Sequence, residues 1–96
     1  MVSGVGDSGW TLLSNHGKVL LCIARDPEMR VTDIAAHAGI KERAVQRILA
    51  ELRAGGYISS TREGRRNRYS VNRGRRLPWS PNGGLSVGRL VDVLKP

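Results

Sequence analysis

A chain of 96 residues allows one small domain with a modest core, and its single cysteine, Cys22, excludes an internal disulfide. Lysine and arginine number 16 against 8 aspartates and glutamates, a net charge of +8. The longest apolar run, Val19 to Ala24, is far below the roughly 18–20 residues of a membrane-spanning helix, so no membrane association is expected. The opening MVSGVGDSG has neither a charged leader nor an apolar h-region, so residues 1–9 are expected to form a flexible tail and cytoplasmic residence follows as the default.

The spacing predicts a first helix over Asn15–Arg25, approached through the apolar Trp10, Leu12 and Leu13. Ser14 or Asn15 can cap it, and Asp26-Pro27 ends it, because the residue before a proline is pushed out of the α region. Its segment VLLCIA is apolar around most of the helix, which implies deep burial or contact with a second subunit. Val31 is expected in a short strand, with Thr32 capping a second helix over Asp33–Ala38. Ile34, Ala35 and Ala38 give that helix an apolar face. Gly39 supplies the positive φ of a tight turn, and Ile40 fills the corner. Val45, Ile48, Leu49 and Leu52 then recur at i, i+3, i+4 and i+7, one face of a third helix from Lys41 or Glu42 to Ala54. Small Ala35 is the expected crossing point of the two helices. Gly55-Gly56 is the stop signal.

Tyr57–Arg62 and Arg68–Asn72 are short β-capable runs, expected to form a hairpin around the five-residue loop Glu63–Asn67. RGRRLPWSPNGG reads as an extended basic connector over residues 73–85. Over residues 86–96, Ser86 can cap a last helix whose Val87, Leu90, Val91 and Leu94 form another apolar stripe. So short a helix is not stable alone. The simplest arrangement packs it across a two-fold axis in a dimer; the competing one folds it back on its own subunit.

Charge is distributed unevenly. Residues 41–76 hold 11 basic and 3 acidic side chains, so this window carries the whole net charge and the other sixty residues sum to zero. Basic excess that coincides with the third helix and the hairpin is the footprint of a polyanion-binding face, whereas a surface charged only for solubility needs no such coincidence. Arginine outnumbers lysine thirteen to three, which suits phosphate and guanine contacts and equally suits a GC-rich genome. His16 and His37 stand 21 residues apart without any metal-ligand spacing, and no nucleophile–base constellation is apparent. Neither a metal, a cofactor nor an enzymatic activity is expected. Cys22, within VLLCIA, reads as an apolar residue rather than a redox switch.

T-D-I-A-A-H-A-G-I (32–40), A-V-Q-R-I-L-A-E-L (44–52), G-G-Y-I (55–58) and E-G-R-R-N-R-Y (63–69) together resemble a winged helix-turn-helix domain of the bacterial regulator type, similar to the multiple-antibiotic-resistance and arsenical-resistance regulator groups. The implied fold is α+β, mainly α: a winged helix-turn-helix over residues 10–72 with a two-stranded wing, followed by a C-terminal helix. The resemblance implies that the third helix lies in the major groove of double-stranded DNA and the hairpin along the backbone or minor groove. Lys41 departs from the pattern, since such domains usually start that helix with Ser or Thr.

On this reading Arg43 and Gln46 are the candidates for base edges, by the guanine-forking and adenine-pairing geometries open to these side chains. Arg47, Lys41 and Thr32 are candidates for phosphate. In the wing Arg62, Arg65, Arg66 and Arg68 can grip phosphates or enter a narrow minor groove, although alternation forbids all four from sharing a face. The expected protein is a homodimeric, nucleoid-associated transcriptional regulator reading a pseudo-palindromic site, with no small-molecule effector indicated. The rival readings are a winged helix used for protein interaction and a binder of double-stranded RNA or unusual duplexes.

Overall fold

The computed structural model describes residues 11–79 and 84–94. The order is α1 (Asn15–Arg25), α2 (Val31–Ala38), α3 (Glu42–Ala54), β1 (Ile58–Glu63), β2 (Arg66–Val71) and α4 (Val87–Leu94). The expected flexible tail, Trp10 and part of the connector lie outside the described residues.

Each early helix has an identifiable start or stop. Ser14 caps α1, its hydroxyl accepting from the Gly17 N–H at 3.1 Å. Gly39 closes α2 in the left-handed region at φ 73°, its N–H bonded to the Ala35 carbonyl, and this sets the turn into α3. One expectation fails between α1 and α2. The second helix begins at Val31, two residues early, with Arg30 in the cap position and no side-chain cap bond. Thr32 is therefore inside the first turn instead of capping it, and Val31 is helical instead of extended. Its exposed first turn can be satisfied by water, so Thr32 has no need to leave the helix. What touches the sheet is the segment before it: the Tyr69 N–H of β2 donates to the Pro27 carbonyl at 2.8 Å.

Helical packing follows the apolar periodicities. Val19, Leu20 and Ile23 of α1, Ile34 and Ala35 of α2, and Val45, Ile48, Leu49 and Leu52 of α3 are buried in one cluster with Ile58 and Tyr69 of the sheet. Complete burial of each large aliphatic side chain is worth about 1.5–3 kcal/mol. Leu12, expected to lead into this core, is 91% exposed.

The strands pair antiparallel from Ile58↔Val71 to Glu63↔Arg66, leaving only Gly64 and Arg65 in the turn. The hairpin loop is thus shorter than the five residues expected. Gly64 takes φ 64°, which permits a two-residue connection. Arg66 and Asn67 are polar, but both faces are solvated at the tip, so polarity does not oppose their pairing there.

α4 folds back on its own chain. Val87 and Val91 are 0% and 1% exposed and belong to the same core cluster as α1 and α3. Of the four-residue stripe, Leu90 is half-buried and Leu94 exposed. The described ends of the connector are bonded to the fold and to α4. Arg76 and Ser86 form an antiparallel bridge, and the Val87 and Gly88 N–H groups donate to the Arg75 and Arg73 carbonyls.

Candidate nucleic-acid interface

Burying Val45, Ile48, Leu49 and Leu52 fixes the rotation of α3. At about 100° per residue, Arg43, Arg47 and Ala50 fall opposite the buried stripe, and all three are exposed. Gln46 and Arg53 lie together on one shoulder, nearly in line at i, i+7. Arg53 donates to Ser60 Oγ of β1 at 3.3 Å, so that shoulder is the one turned toward the wing. The opposite shoulder carries Glu51 and faces α1, where the His16 Nε2 to Glu51 Oε1 distance is 2.7 Å.

The arginines of this face are not equivalent. The side chains of Arg43 and Gln46, and of Lys41 at the helix start, have no hydrogen-bond or ion-pair partner among the described residues. Lys41, Arg43 and Arg47 surround a shallow groove with Ile40 and Ala44. Arg47, by contrast, is paired along the helix with Glu51 at 3.2 Å. The hydrogen bond from His16 holds the Glu51 carboxyl below its ordinary pKa against an opposing effect of desolvation, with the Arg47 charge adding to the lowering.

In the wing, pairing places Thr61 opposite Arg68 and Glu63 opposite Arg66, which puts these four on one face of the hairpin. Arg62 shares the other face with Asn67, in line with buried Tyr69 and Ile58. The four wing arginines therefore do divide between faces. Arg62 curls back to the Gly64 carbonyl, Nε to O 3.3 Å. Arg68 is ion-paired with Glu28 of the α1–α2 loop, and Arg66 Nη2 reaches the Glu28 carbonyl at 3.4 Å. Arg65, in the turn, has no partner among the described residues. Thr32 is exposed in the first turn of α2.

A buried helix-turn-helix core with an exposed polar face on α3, and an arginine-rich hairpin beside it, is the arrangement of a winged helix-turn-helix domain. Residues 12–59, half of the chain, match the profile of winged helix-turn-helix DNA-binding domains. The chain belongs to that family. The matched span runs from the approach to α1 into the first strand of the wing, so it covers the three-helix core and α3 entire. No curated protein matches the chain. As a winged helix-turn-helix domain it binds DNA. No helix among the described residues is long and apolar enough to cross a membrane.

Three arginines of the basic window, Arg73, Arg75 and Arg76, have partners within the fold. Arg73 donates to the Gly88 carbonyl at 3.3 Å and to Asp92 Oδ2 at 2.7 Å, tying β2's end to α4. Arg75 donates to the Gly55 carbonyl at 3.0 Å, and Arg76 to the Gly84 carbonyl. These hold the chain's return path. Two residues that belong near the interface lie outside the basic window read from the sequence: Glu28 and Arg30, both beside the wing. Neither carries a signal in the sequence: Glu28 is acidic, and Arg30 stands before the expected strand at Val31 rather than at a helix start. Cys22 is half-buried, and burial pushes its thiol pKa up despite nearby Arg25. His37 is exposed.

Proposed function

We propose that this winged helix-turn-helix protein is a sequence-specific transcriptional regulator of the bacterial type, with α3 in the major groove of double-stranded DNA and the wing on the adjacent backbone or minor groove. The observation that carries this reading is the pair Arg43 and Gln46. They are exposed, unpaired among the described residues, and project from the part of α3 nearest the helix-turn-helix corner. A guanidinium and a carboxamide are the two side chains best suited to read guanine and adenine in the major groove. Lys41, Arg47, Thr32 and the wing residues Arg62, Arg65, Arg66 and Arg68 supply backbone contacts in this scheme. Of these, Arg47 and Arg68 must exchange an intramolecular carboxylate for phosphate or share it.

With about five phosphates neutralised per subunit, log K should fall against log salt with a slope near −4 to −5 per subunit. A slope close to zero would remove this face as a DNA contact. A protein-interaction module would instead retain its partner after Arg65 and Arg66 are both changed to Ala.

The functional unit in this proposal is a homodimer on a pseudo-palindromic site, with half-sites about one helical turn, roughly 34 Å, apart. α4 spends its buried stripe on its own core, so the dimer contact is assigned to the apolar groove bordered by Leu12 and Trp79, which are 91% and 86% exposed. Sedimentation at tens of micromolar decides it: a monomer without DNA contradicts the dimer and leaves the DNA contact standing.

A further inference from the structure

The cleft between the wing and the start of α2 has a volume of about 300 Å³ and is lined by three arginines: Arg30, Arg65 and Arg66. They come from three positions of the fold, the cap of α2, the wing turn and the first residue of β2. The side chains of Arg30 and Arg65 have no hydrogen-bond or ion-pair partner among the described residues. Arg66 has only the carbonyl of Glu28, at the long distance of 3.4 Å. One acid stands among them, Glu28, and its carboxylate is turned to Arg68. Like charges gathered with so little compensation favour an anion between them, and arginine's planar fork fits phosphate oxygens better than any other cationic side chain.

We infer that this cleft seats one phosphate of the bound DNA backbone, gripped by Arg30 from the α2 side and by Arg65 and Arg66 from the wing, and that Glu28, its carboxylate held by Arg68, is a counter-charge whose nearness weakens the seat. The inference rests on the DNA-binding reading above. It adds a contact from outside the recognition helix and wing, and it gives Glu28 two opposed effects. Through Arg68, and beside the Tyr69–Pro27 backbone bond, Glu28 fastens a two-stranded hairpin that would be marginal alone. Its negative charge also lowers the affinity of the cleft for an anion. Seating a phosphate takes Arg66 off the Glu28 carbonyl and leaves the Glu28–Arg68 pair in place.

The test is anisotropy of a fluorescein-labelled, mixed-sequence duplex across a potassium chloride series, on the full chain. Arg30→Ala should weaken binding roughly three- to tenfold and reduce the steepness of log K against log salt by about 0.9, the value of one phosphate contact. Glu28→Gln should strengthen binding, roughly two- to fivefold. Arg89→Ala, which removes an exposed arginine of α4, should leave the slope unchanged. If the wild type binds steeply and Arg30→Ala behaves like Arg89→Ala, the phosphate seat is wrong and the DNA reading survives. If Glu28→Gln weakens binding, the counter-charge role is wrong. A wild type that binds no duplex, or binds with a flat slope, overturns the seat together with the DNA reading.

Discussion

The guanidinium carbon of Arg75 lies 4.8 Å from the centre of the Tyr57 ring, while its Nε donates to the Gly55 carbonyl at 3.0 Å. This one side chain satisfies a carbonyl at the end of α3 and stacks on the residue that leads into β1. It is half-buried, unlike the wing arginines. Arg75→Ala should therefore cost about 1–2 kcal/mol of stability, from a cation–π contact and a hydrogen bond. In a domain of this size each kcal/mol lowers Tm by about 4–8 °C. Duplex affinity should change little at a temperature where the variant is folded. An unchanged Tm with a large loss of affinity would return Arg75 to the binding face.

Gly88 carries the second prediction. A Cβ built there would stand 3.0 Å from both Cβ and the carbonyl oxygen of Arg73, because the Gly88 N–H bonds that same carbonyl at 2.9 Å. The neighbour is partly backbone and cannot swing away. Gly88→Ala should destabilise by about 1–3 kcal/mol, as overpacking does, even though alanine is the better helix former. Urea midpoints would register it. A midpoint equal to or above wild type would mean that α4 does not pack against residue 73.

Much of this architecture is legible in the sequence because it repeats. Val45, Ile48, Leu49 and Leu52 announce α3 by period, Gly39 announces the turn by its conformational freedom, and Ser14 announces a cap by its chemistry. Where the sequence leaves alternatives open, the cause is shared: one residue type serves two physical purposes. Arg73, Arg75 and Arg76 add the same formal charge as Arg65 and Arg66, yet they bond carbonyls and α4, and charge counting cannot see a carbonyl that needs a donor. The stripe Val87, Leu90, Val91, Leu94 is the same whether it covers its own core or a partner's. Thr32 has the propensity of a cap, but Val31 already lies in the helix and is packed against the core, so tertiary contact sets the boundary two residues earlier. At the interface the candidates Arg43 and Gln46 were readable from helical period alone, whereas the Glu28–Arg68 and Glu51–Arg47 pairs depend on which loops and helices meet.

A third expectation concerns sequence readout. Arg43→Ala and Gln46→Ala should each lose on the order of 1–3 kcal/mol at the preferred site and less on random duplex. The preferred site can be obtained by selection from a randomised duplex pool. Equal losses on both kinds of DNA would assign these side chains to phosphate, and no loss on either would place the reading surface elsewhere.

The acid dependence of stability should carry a signature of Glu51. Its hydrogen bond from His16, with the Arg47 charge beside it, depresses the carboxyl pKa in the folded state. A depressed folded-state pKa contributes stability that is present above the unfolded value and is lost as pH falls through the folded value. Glu51→Gln should thus be less stable than wild type at neutral pH, and the gap should close as pH falls below the ordinary glutamate range. Urea midpoints over a pH series would show this. A gap that stays constant into acid would mean the His16–Glu51 contact is absent in solution.

The central claim, that α3 and the wing form the DNA-binding face, is tested most directly by titrating isotopically labelled protein with duplex DNA and following backbone amide shifts by NMR. The largest changes should fall on Lys41–Arg47 and on Arg62–Arg68, with Val87–Leu94 of α4 nearly unmoved and the shifts reversed by added salt. Shifts centred on α4, or confined to the α1 face with Lys41–Arg47 silent, would contradict the account.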